Sequence, residues 1–217
     1  MKSMKKLLLV LTFAFPMMAF AKATDSSQNA SRFQEGTYYE VVKGLTPYTK
    51  PTVTELFSIY CGGCYRWEKG PLVALKGWLG QQNIEFKQVH MSFMGAYAKQ
   101  ATMALAMTQG TPRYNSVKQA LFNHIHVEHK GDWRDDADFF QTIEKAGLKQ
   151  SDYEANQNNM MVMSIVLDWN RYAEYAHAVP SFMVNNRYLI NTSSLKSYDD
   201  LNALITYLIA LSWEDTK

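Results

Sequence analysis

The sequence predicts an α/β fold in which an all-helical block interrupts a domain of mixed strands and helices. Three observations carry this prediction. An apolar, β-rich run from Thr54 to Tyr60 leads straight into Cys61-Gly62-Gly63-Cys64, and a helical pattern follows. Between Tyr97 and about Leu167 the periodicity is helical, with no convincing strand. Two short β runs and an amphipathic helix come last, so the order is β-β-α-β, a helical block, then α-β-β-α.

The first segment reads as targeting. Lys2, Lys5 and Lys6 precede an uncharged run from Leu7 to Ala21 that ends in Ala19-Phe20-Ala21, the pattern of a cleaved secretory signal over 1–21. That run is too short for a membrane span, which needs about 20 apolar residues. Cleavage removes three lysines and no acids, leaving 19 basic residues (22 less 3) against 20 acidic ones. A net charge near −1 gives no support for binding nucleic acid or a membrane surface. The polar, low-complexity stretch 22–32 reads as a flexible arm. Residues 33–93 and 168–217 form the mixed domain, and 94–167 the helical insertion.

Thr37 to Val42 is a strand by composition, and Val53 to Ile59 is the next. Alternation puts Val53, Glu55, Phe57 and Ile59 on one face, so Glu55 is an acid in an apolar row. It is either an edge position that reaches water or a buried acid beneath the cysteines. The helical pattern from Gly62 to about Trp78 contains Gly70-Pro71, where proline kinks the helix or restarts it. A third strand spans 83–93. Helices are expected over 97–109, 113–127, 135–146, 151–160 and 161–176, with Ser151 and Glu154 as a capping box for the fourth. Ser181 to Val184 and Arg187 to Ile190 flank an Asn185-Asn186 turn, and Ser197-Tyr198-Asp199-Asp200 opens the last helix.

Cys61 and Cys64 are the only cysteines. An exported chain enters a compartment where disulfides persist, yet a bridge closing four residues restrains the unfolded chain very little. The pair therefore reads as redox chemistry. At a helix start, Cys61 meets unpaired N–H groups and the positive end of the dipole, which stabilise a thiolate, and Cys64 lies one turn further in.

The segments Glu55 to Tyr65, His90-Met91-Ser92-Phe93-Met94-Gly95 and Val179-Pro180-Ser181-Phe182-Met183-Val184-Asn185 resemble those of the DsbA family, periplasmic thiol–disulfide oxidases. The likeness covers roughly residues 33 to 213 in the same order. It implies a thioredoxin fold, a mixed sheet flanked by helices, carrying a helical insertion. Cys61 would be the attacking and accepting sulfur and Cys64 the buried resolving one. Pro180 would be a cis proline packed on the disulfide, with the Val179 backbone, Gly62 and Gly63 facing substrate. Glu55 would be the buried acid that assists proton transfer at the inner cysteine. The family implies a periplasmic monomer with no cofactor beyond its own disulfide. Its partners would be reduced, unfolded exported proteins and a quinone-linked membrane reoxidant of the DsbB type.

Two departures stand out. Gly62-Gly63 replaces the Pro-His common in strong oxidants of the family, and Gln88 stands where the family often places a lysine near the buried acid. Both point to a weaker oxidant. An isomerase or reductase is the enzymatic alternative, although related isomerases carry a dimerisation domain for which 22–50 leaves no room. A chaperone-like peptide binder with vestigial cysteines is the non-enzymatic one. Metal binding by the cluster of His124, His126 and His129 is not expected, because His124 and His126 fall on different helix faces and no second cysteine pair exists. Asn29 and Asn191 fit a short, common glycosylation pattern. Met94, Met103, Met107, Met160, Met161 and Met163 are either core or the lining of an adaptable peptide groove near Cys61.

Overall fold

The computed structural model describes residues 32–128 and 131–214. The signal segment, residues 22–31 of the arm and His129 lie outside the described residues. Five strands form one sheet in the order β1-β5-β4-β2-β3, where β1 is Tyr39–Val41, β2 Thr52–Phe57, β3 Glu85–His90, β4 Ser181–Val184 and β5 Tyr188–Ile190. The β2–β3 pair is parallel and every other pair antiparallel. All six residues of β2 are buried, as befits a strand covered on both faces. The Asn185-Asn186 turn joins β4 to β5 with both residues at positive φ, which asparagine tolerates.

Among the described residues eight helices surround the sheet. Helix α1 is Gly62–Lys69 and α2 Pro71–Gln81; α3 is Ala98–Thr108, α4 Arg113–His126, α5 Asp136–Lys145, α6 Gln150–Asn156, α7 Met160–Asn170 and α8 Tyr198–Glu214. The long pattern after Cys61 is thus two helices. Pro71 occupies the first turn of α2, where its missing N–H costs nothing. Val53, Phe182, Val184 and Ile190 of the sheet pack with Leu72, Leu75 and Leu79 of α2 and Leu201, Leu204 and Leu208 of α8. Leu56, Phe57, Val89 and Met183 pack with Cys64 and with Leu105, Val117, Leu121 and Phe122 of the insertion. The fold is a thioredoxin fold with a helical insert that shares a core with the sheet.

Several boundaries differ from the sequence reading, each for a tertiary reason. The strand before the cysteines ends at Phe57, because the next backbone groups find side chains rather than a neighbouring strand. His90 Nε2 accepts from Ile59 N–H at 3.1 Å, and His126 Nε2 donates to Ile59 O at 2.8 Å. Ser151 caps nothing: α6 starts at Gln150, whose N–H bonds Glu144 Oε1 at 3.0 Å, and Glu154 accepts from the Gln150 side chain. Helix α7 is capped by Asn159, whose Oδ1 accepts from Met161 and Val162 N–H. It stops at Asn170 rather than 176, since Tyr172 turns inward to donate to Asn186 Oδ1 at 2.9 Å. Arg32, read as the end of the arm, lies over the Phe33 ring and pairs with Asp200 in the first turn of α8.

Candidate redox active site

At the end of β2 the chain turns through a Cys61 N–H to Ser58 O bond of 3.1 Å and enters α1. Cys61 is the N-cap, and its sulfur takes the role usually filled by a serine or aspartate oxygen, accepting from Cys64 N–H at 3.1 Å. A hydrogen bond from the Cys64 thiol, the N–H groups of Cys64 and Gly63 and the Arg66 guanidinium together draw the Cys61 thiol down to about 6, against the opposing effect of burial. Cys64 is pushed the other way. The bond it donates to Cys61, its burial and the nearby Glu55 charge all hold it protonated. Cys61 is 9% exposed and Cys64 1%. Both are free thiols.

The other predicted residues converge here. Val179–Pro180 is a cis peptide, and the Cys61 thiol when protonated donates to Val179 O at 3.2 Å. A Cβ on Gly63 would lie 3.4 Å from Pro180 Cδ and 3.5 Å from Cys61 Sγ, so this glycine sits between the proline and the sulfur. Arg66 Nη1 lies 3.5 Å from the equivalent point on Gly62. Beside Pro180 runs a cavity of about 570 Å³ lined by Trp67, Val179, Phe182, Leu195, Tyr198 and Leu201, with no methionine in its wall. Met160 and Met161 are instead exposed on α7, and Met103 and Met107 pack against the core. Trp67 packs at a tilt against Phe182 and Tyr198, a wall that no local sequence signal marks as a groove.

Glu55 is buried, not an edge acid. It pairs across the sheet with Gln88, whose Nε2 donates to Glu55 Oε2 at 2.7 Å. Burial pushes its carboxyl up to about 7; the Gln88 bond opposes that rise and the Glu68 charge adds to it. The nearby cation is one that sequence reasoning missed. Lys118 of α4 is completely buried, with Nζ 2.8 Å from Gln88 Oε1 and 2.8 Å from Glu68 Oε1. Its signal was legible: Lys118 falls on the apolar stripe of Leu121, Phe122 and Ile125, as Glu55 falls in the row of Val53 and Phe57.

The insertion touches the active-site turn at two further points. His126 stacks on Tyr65 at 5.0 Å while bonding Ile59 O. Tyr60 donates to Asp132 at 2.7 Å and accepts from Tyr97 N–H, and its ring lies against Gly95, which has φ +79°. His124 faces elsewhere, stacked on Trp133 at 4.6 Å, so the two described histidines of the cluster do not converge.

Two thiols one helical turn apart, one ionised near neutrality and the other held protonated behind it, can exchange with an outside disulfide or dithiol. On a thioredoxin fold that chemistry defines the class as thiol–disulfide oxidoreductase. No protein-family model matches the chain. The thiol:disulfide interchange protein DsbL of Lelliottia amnigena is 31% identical over 199 residues, covering 82% of this chain and 88% of that one. DsbA of Yersinia pestis is 30% identical over 198 residues, covering 84% and 91%. The crystal structure of reduced DsbL superposes with a TM-score of 0.69 at 29% identity, over 82% of this chain and all of the other. The chain belongs to the DsbA/DsbL family of thiol:disulfide interchange proteins.

Proposed function

We propose that this oxidoreductase donates the Cys61–Cys64 disulfide to reduced, exported proteins, with Cys61 as the exchanging sulfur. A substrate thiolate attacks Cys61 Sγ, forming the mixed disulfide and expelling Cys64, which takes a proton from Glu55. A second substrate thiolate then attacks the substrate sulfur of that mixed disulfide, releasing Cys61 as a thiolate. The substrate loses two electrons and gains a disulfide; the enzyme ends as a dithiol. The Val179 carbonyl beside Cys61 and the apolar cavity past Pro180 suit an extended peptide laid against the cysteine. Return to the disulfide needs an oxidant, for which a DsbB-type quinone-linked membrane partner is the family's solution. The secretory pattern at 1–21 supports a periplasmic site of action.

The observation that carries the reading is the asymmetry of the two sulfurs: Cys61, 9% exposed, accepts from the Cys64 N–H at the helix start, and Cys64, 1% exposed, lies behind it. Cys64→Ser should therefore accumulate mixed disulfides through Cys61 when given a disulfide-bonded substrate, its Cys61 thiolate attacking that bond and expelling one substrate thiolate, and Cys61→Ser should accumulate none. Brief alkylation of the reduced wild type at neutral pH should label Cys61. Preferential labelling of Cys64 would overturn the assignment.

A further inference from the structure

Beneath Cys64 a buried cluster joins four elements: Glu55 on β2, Gln88 on β3, Glu68 on α1 and Lys118 on α4. Lys118 Nζ donates to Gln88 Oε1 and Glu68 Oε1, each at 2.8 Å, and lies 5.2 Å from the centre of the Tyr114 ring. Gln88 Nε2 donates to Glu55 Oε2 at 2.7 Å and reaches Glu68 Oε2 at 3.3 Å. A carboxamide is polar end to end, and an ammonium can only donate. With Lys118 on its oxygen, Gln88 has no choice but to turn its hydrogens toward the two carboxyl groups. Without Lys118 the amide could reverse and offer its oxygen to a protonated Glu55.

We propose that Lys118, contributed by the helical insertion, is a positioning residue that locks the Gln88 amide with its hydrogens on Glu55 and so controls how readily Glu55 releases and recovers the Cys64 proton. The proposal rests on the reading of Glu55 as the proton partner of Cys64. When Cys64 leaves the disulfide as a thiolate, the Glu55 proton moves to its sulfur. Glu55 is then a carboxylate facing the Gln88 hydrogens, with the Lys118 charge one group behind. During reoxidation Cys61 is held in a mixed disulfide, and Cys64 returns its proton to Glu55 as its sulfur attacks Cys61. No electrons pass through the relay.

Other charged and titratable groups surround Glu55. Glu68 and Cys64 face it from α1, Lys76 from α2, and Lys118 and Tyr114 from α4, while its partner on β4 is the uncharged Phe182. Glu68 disfavours the Glu55 carboxylate, and Lys118 and Lys76 favour it. The Gln88 position that lacks the family's lysine is therefore served by a cation from across the domain boundary. The amide carries its influence to the acid.

The test is the titration of Glu55, read in the full-length oxidised protein by carboxyl carbon-13 NMR, together with the pH profile of Cys64 attack in a trapped Cys61 mixed disulfide. Lys118→Met should raise the Glu55 midpoint by about one pH unit or more, since it removes both a nearby positive charge and the fixed donor. Because that variant leaves Glu68 unpaired, the same substitution is also made in Glu68→Gln, where it should raise the midpoint relative to Glu68→Gln alone. The swap Gln88→Lys with Lys118→Gln should bring the midpoint back down. A role confined to packing would lower the melting temperature and leave these midpoints where they were, and that result would overturn the proposal. The two readings fail separately. If the NMR midpoint moves as expected but neither it nor Glu55→Gln alters the Cys64 rate profile, it is the proton role of Glu55 that is refuted.

Discussion

Substituting Gly63 with histidine tests what the glycine pair does to oxidising strength. The site has room for the first side-chain atom: a Cβ there meets Pro180 Cδ at 3.4 Å and Cys61 Sγ at 3.5 Å, ordinary contact distances that start the side chain beside the sulfur. An imidazole at that point donates to the Cys61 thiolate or places partial positive charge beside it. Cys61 already titrates at about 6, so at neutral pH the reduced form is mostly thiolate. Nearly all of any added stabilisation then reaches the redox couple. Each pKa unit is worth about 1.4 kcal/mol, which is about 30 mV for two electrons. One partly exposed neighbour supplies about one to two units, so Gly63→His should be about 30–60 mV more oxidising. The gain in helix propensity is common to both redox states and cancels in the potential. Thiolate absorbance in the ultraviolet gives the pKa, and equilibrium with glutathione, followed by tryptophan fluorescence, gives the potential. The two should shift together at neutral pH, and the difference between variant and wild type should vanish at pH values below both thiolate midpoints. A lowered pKa with an unchanged potential would refute the argument that thiolate stabilisation sets oxidising strength here.

Gly95→Ala should destabilise the protein by about 3 kcal/mol or more, because it forces a side chain onto positive φ and drives its Cβ to 2.1 Å from the Tyr60 ring. Urea unfolding measures this, and a loss below about 1 kcal/mol would mean that Tyr60 moves aside freely. Acid stability of the oxidised protein depends on two buried groups of opposite sign. His90 is held neutral by burial, its value lowered from 6.5 to about 3, so it withdraws stability as pH falls below about 6.5. Glu55, raised from 4.5 to about 7, adds stability as pH falls from about 7 to 4.5. Their slopes are each about 1.4 kcal/mol per pH unit, so between about 6.5 and 4.5 they offset. Glu55→Gln should therefore uncover a loss of about 2–3 kcal/mol across that window, and a flat profile in the variant would refute the account of His90.

The redox site was legible from the chain because its chemistry is local. Cys61 and Cys64 are one helical turn apart, and the N–H groups that hold the thiolate belong to the same turn, so a β run feeding Cys-x-x-Cys already specifies the asymmetry of the two sulfurs. The break at Pro71 was local in the same way, since a missing N–H and a fixed φ act within one residue. Glu55 was half legible. Alternation put it in an apolar row, but only burial of β2 on both faces decided between water and the interior. The helix ends at Gln150 and Asn170 differ from the spacing because side chains outside each helix, Glu144 from the end of the preceding helix and Asn186 from the β4–β5 turn, supplied the bonds. Lys118 reaches Gln88 across 30 residues and His126 reaches Ile59 across 67, and no periodicity encodes such meetings. A spacing pattern records which face a side chain takes, whereas its partner there depends on how separate elements pack. The sequence by itself determined the thiol pair and the turn that activates it; the tertiary structure decided which charges surround its buried acid.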